Sequence, residues 1–66
     1  MFIILNFIEG GEIAIEIDNI GLIERNETDT MTWVYLKHPT SWFDRLTVKE
    51  KPSMIIRLVD ERRAKG

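Results

Sequence analysis

The chain has no cysteine and a single histidine, His38. Disulfide stapling is therefore excluded, and so is a Cys/His zinc cluster. Proline occurs only twice and glycine only four times, which leaves no material for a flexible linker or a proline-rich segment. No glycine-rich phosphate loop of the P-loop or dinucleotide-binding kind is present. Long hydrophobic runs are missing as well. The nearest, Phe2 to Ile8, is interrupted by Asn6 and has no basic segment before it. It is far too short to span a membrane and does not have the form of a secretion signal, so the expected location is the cytoplasm.

What is present is 66 residues with 44% apolar content, too apolar for a disordered chain. They make one domain, residues 1–66, with a core too small for comfortable stability alone, which predicts self-association.

Strand signals fill the first fifty residues. After Phe2–Ile8, Gly10-Gly11 marks a hairpin turn, because glycine accepts positive φ without strain. Glu12 to Asp18 alternates, with Ile13, Ile15 and Ile17 on one face and Glu12, Ala14 and Glu16 on the other. Asp18 to Gly21 reads as a tight bend, Ile20–Arg25 as a third strand, Thr32–Lys37 as a fourth and Arg45–Lys49 as a fifth. Pro52 suits the first position of a helix. Ile55, Leu58 and Val59 then recur at helical spacing through residues 52–65, although Lys51 offers no capping oxygen. The predicted fold is mainly β, a small α+β unit of about five antiparallel strands in a curved sheet or small barrel, with one C-terminal helix. The expected core is Ile13, Ile15, Ile17, Leu22, Val34, Leu36, Leu46 and Val48, closed by the helix.

A second apolar set is left over. Phe2 and Ile4 point away from Ile3 and Leu5, and Trp33 and Tyr35 point away from Val34 and Leu36. Exposed together they exceed what a monomer usually tolerates, so Phe2, Ile4, Trp33 and Tyr35 are the expected homo-oligomer interface; a barrel that buries both faces of the first strand is the competing arrangement. Charge is also uneven. The net charge is −2, but residues 1–30 hold seven acids and one base while residues 31–66 hold four acids and eight bases. Such a chain can pair with itself head to tail or offer a basic pocket to an anion. Solvated faces explain the same pattern.

The order Gly11-Glu12-Ile13-Ala14-Ile15, Asp18-Asn19-Ile20, Ile23-Glu24, Val34-Tyr35-Leu36, Val48-Lys49-Glu50 and Pro52 before Ile55-Ile56 resembles the FlbD-like family of small flagellar and phage-associated proteins. The resemblance implies a short β unit followed by a helix, no catalytic residues, and action through partner proteins or in a phage or mobile-element setting within the host-cell cytoplasm. The chain departs from that pattern between its fourth and fifth strands, where His38 to Asp44 is longer and aromatic.

That connection is the richest place for binding. Trp42 can stack on a base, Arg45 can fork onto a phosphate, and Thr40, Ser41 and His38 can complete a polar rim. The competing readings are an aromatic plug for the end of the sheet, with Arg45 paired to an acid, and a protein-binding knob. A nucleophile–base–acid set from His38, Ser41 and Asp44 lacks an oxyanion hole, and Glu12 with Glu16 reads as strand decoration. Arg57, Arg62, Arg63 and Lys65 on one helix are not interleaved with aromatics, which argues against nucleic acid. The expectation is a non-catalytic homo-oligomer without metal or cofactor that sequesters a small nucleotide-type ligand, an anti-defence sponge. The alternative is an adaptor that docks on a host protein.

Overall fold

The computed structural model describes residues 1–39 and 44–66. Its elements are β1 (Phe2–Asn6), β2 (Glu12–Glu16), a single 3-10 turn (Ile17–Asn19), β3 (Ile20–Glu24), β4 (Thr32–Leu36), β5 (Arg45–Val48) and α1 (Pro52–Lys65). The fold is small α+β, with five antiparallel strands in two sheets and one C-terminal helix; the sheets do not close into a barrel.

β1 and β2 form a hairpin in which Ile3 faces Ile15 and Leu5 faces Ile13. Gly10 and Gly11 take φ of 110° and 93°, a region that a side chain disfavours. The amide of Phe7 donates to the Gly11 carbonyl at 2.9 Å, and that of Gly10 donates to the Phe7 carbonyl at 3.0 Å. The second sheet runs β3-β4-β5. The two sheets meet along a short seam where Phe7 bridges Val48. There the Ile8 amide donates to the Thr47 carbonyl at 3.1 Å, and the Lys49 amide donates to the Asn6 carbonyl at 2.9 Å.

Between the sheets lies one core of Ile3, Leu5, Ile15, Ile17, Val34, Leu46, Val48 and Ile55. The helix closes it through Ile55, which is fully buried, with half-buried Leu58 and Val59 beside it. No side chain caps the helix start at Lys51. At the other end the Gly66 amide donates to the carbonyls of Arg62 and Arg63, and three cations occupy the last turn, where the helix dipole favours them. Burial of Ile55, worth roughly 1.5–3 kcal/mol, outweighs the missing cap, worth about 1 kcal/mol.

Leu22 is a correction. Alternation from Ile20 places it inside, but it is 54% exposed. The cause is a bulge in β3: Ile20 pairs with Leu36, yet Leu22 pairs with the very next residue, Tyr35. Gly21 is the extra residue, and the slip brings Ile23 to the core in place of Leu22. The approach is close: a Cβ on Gly21 would lie 3.3 Å from the Tyr35 carbonyl oxygen and 3.2 Å from Lys37 Cγ, so a larger residue needs its neighbours to shift.

Candidate functional site

The five residues expected to bind a ligand are only partly within the described residues: Thr40, Ser41 and Trp42 lie outside them, as does Phe43. His38 and Arg45 are described and flank that segment.

His38 is set by backbone geometry. Its amide donates to Asn19 Oδ1 at 2.6 Å, its carbonyl accepts from Asn19 Nδ2 at 3.3 Å, and the Lys37 amide donates to the Asn19 carbonyl at 2.8 Å. One asparagine from the 3-10 turn therefore clamps the strand end from which the connection departs. Asp and Asn in the bend were legible as turn formers; the clamp was not, because its partner lies nineteen positions away.

Arg45 leaves the other end of the connection, at the first position of β5. Register places Tyr35 opposite Arg45 and Trp33 opposite Thr47, so all four share the outer face of the second sheet. The guanidinium carbon of Arg45 stands 4.8 Å from the Trp33 ring centroid, a cation–π contact worth about 0.5–1 kcal/mol on an exposed face. No carboxylate among the described residues forms an ion pair with it. Its position thus differs from the pairing with Asp44 or an acidic strand that a purely structural role would give. Leu22 adds an exposed apolar side chain opposite Tyr35.

The expected interface residues divide between two surfaces. Trp33 and Tyr35 are half-buried on the outer face of the second sheet, while Phe2 and Ile4 are exposed on the outer face of the hairpin. They belong to different sheets, whose backbones are bridged at Phe7 and Val48.

Two clefts add to these surfaces. One of about 320 Å³ has Arg45, Leu46 and Thr47 on one side and Phe7, Ile8 and Glu9 on the other. A second, of about 540 Å³, lies at the start of α1 among Lys49, Glu50, Lys51, Ser53, Met54 and Arg57. This basic cleft was missed in the sequence. The run Lys49-Glu50-Lys51 was the available signal; Glu50 also lines the cleft, where the cations outnumber it, and its carboxylate accepts from Asn6. Among the described residues no three of His, Asp and Glu stand together as metal ligands, and no helix is long and apolar enough to cross a membrane.

Compared with models of known families, with curated proteins and with solved structures, the chain matches none.

Proposed function

We propose that the chain is a non-catalytic binding protein that self-associates and sequesters a small nucleotide-type ligand beside the connection between β4 and β5. The reading rests mainly on the Arg45 guanidinium, held over Trp33 with no carboxylate partner among the described residues. A guanidinium in that position carries planar donors suited to a phosphate. The connection that joins Arg45 to the Asn19-clamped strand end supplies Trp42 for stacking and Thr40 and Ser41 for hydrogen bonds. In the phage or mobile-element setting that the FlbD-like resemblance implies, such a protein acts by retaining a signalling nucleotide unchanged.

Native mass spectrometry with a pooled set of nucleotides and cyclic nucleotides tests this. The expected result is an oligomer with added ligand mass, released unaltered on denaturation. Arg45→Ala and Trp42→Ala lose the added mass and keep the oligomer. If either substitution instead dissolves the oligomer, the connection is structural and the reading fails.

A second reading is an adaptor for a partner protein, favoured by Leu22, 54% exposed beside Trp33 and Tyr35. An oligomer that takes up no nucleotide, together with a partner captured by the wild type and not by Trp33→Ala, would select it.

A further inference from the structure

The outer face of the hairpin carries opposite charge on its two flanks. Phe2 and Ile4 stand at its centre, 57% and 51% exposed. In register beside them, β2 presents Glu16 opposite Phe2, Ala14 opposite Ile4 and Glu12 opposite Asn6. On the other side of β1 runs the C-terminal half of α1. A groove of about 270 Å³ separates Phe2 and Ile4 from Leu58, Glu61, Arg62 and Lys65. Across the face the order is therefore carboxylates, an apolar strip, then cations. Glu61 is the acid on the cationic flank and is outnumbered there by Arg62 and Lys65. Glu16 already accepts from the Met1 ammonium at 2.9 Å, which leaves Glu12 as the less encumbered carboxylate.

We propose that this face docks on the same face of a second copy as a two-fold dimer, and that the flanking charges set the direction of the axis. The proposal builds on the self-association in the reading above and names its surface. Two copies stacked face to face can be related by an axis parallel to β1 or by one perpendicular to it within the interface. The perpendicular axis sets β2 against β2 and brings four carboxylates together. The parallel axis sets the β2 flank of each copy against the α1 flank of the other, so Glu12 and Glu16 meet Arg62 and Lys65 twice. Like charges opposed across an interface are penalised and opposite charges fix register, so the parallel axis is selected. The apolar strips then meet at the centre as stacked sheets do, the interface is self-complementary, and the assembly closes at two copies through this surface. The same contact covers the side chains that a lone chain leaves in water.

Sedimentation velocity on the whole chain across a concentration series provides the test. The wild type is expected to dimerise. Ile4→Glu puts a charge at the centre and should raise the dissociation constant by about thirtyfold or more. Arg62→Glu with Lys65→Glu makes both flanks acidic, and Glu12→Lys with Glu16→Lys makes both basic. Each double variant alone should be monomeric, and an equimolar mixture should restore a dimer containing one of each. Arg62 and Lys65 are exposed helix positions, so their variant keeps its fold whatever happens to the β2 pair, and circular dichroism checks both. An assembly that survives Ile4→Glu and both charge reversals overturns this face while leaving self-association standing. Failure of the mixed pair to associate, with both variants folded, overturns the pairing of charged flanks on which the choice of axis rests. A wild type that stays monomeric at every concentration overturns the dimer and the assembly in the functional reading together, whereas a dimer of the expected behaviour that takes up no nucleotide removes only the ligand.

Discussion

Asn6 and Glu50 are joined by three hydrogen bonds across forty-four positions of sequence. The Asn6 backbone amide donates to both carboxylate oxygens of Glu50, at 3.0 and 3.2 Å, and its Nδ2 donates to Oε2 at 2.6 Å. This pair ties the end of β1 to the turn that launches α1, and it reinforces the seam between the sheets one residue from the Phe7–Val48 bridge.

Glu50→Ala is therefore expected to lower stability by about 1 kcal/mol, the usual net worth of such a bond set near solvent. For a chain of this size that corresponds to a fall in melting temperature of roughly 4–8 °C. Glu50→Gln retains an acceptor and should recover about half of the loss. Urea unfolding of both variants checks the ordering, and equal stability of Glu50→Ala and the wild type would show that the pair contributes nothing.

A different signature is expected from Asn19→Ala. The substitution removes the acceptor of the His38 amide and the donor to its carbonyl, while the backbone bond from Lys37 to residue 19 remains. Amide hydrogen exchange should accelerate at His38 far more than at Val34 or Val48. A change spread evenly over the sheets would mean global destabilisation in place of a local clamp.

Ile55→Ala should be the most damaging single change on the helix. The side chain is fully buried at the centre of the core, where truncation of an isoleucine costs about 2–5 kcal/mol, comparable with the roughly 3–10 kcal/mol available to a domain of this length. Ile56→Ala, at a neighbouring position that is 55% exposed, should stay within about 0.5 kcal/mol of wild type. Thermal melts of the two variants measure the contrast.

The strands and the helix were legible in the sequence because each carries its own local signal. The Ile13-Ile15-Ile17 alternation, the paired glycines and Pro52 state their conformations without reference to anything distant. Leu22 was misread because a bulge inverts alternation, and only the close approach of Gly21 to the Tyr35 backbone reveals it. The Asn19 and Glu50 contacts were invisible for a related reason: each joins a polar side chain to a backbone group fixed elsewhere by tertiary packing. The candidate site was half legible. Its residue types stand together between His38 and Arg45, but the contact of Arg45 with Trp33 depends on strand register, which no local pattern states.

The seam between the sheets also sets an order of events for a growing chain. β1 has its hairpin partner within reach almost at once, yet the groups that cover its inner face, Val48 and Ile55, are made some forty positions later. Until then the core that takes in Ile3 and Leu5 is incomplete, and a lone two-stranded hairpin is marginal in water. Folding during synthesis is therefore not stepwise: the first strand waits for the last, and the whole domain locks in a single late event.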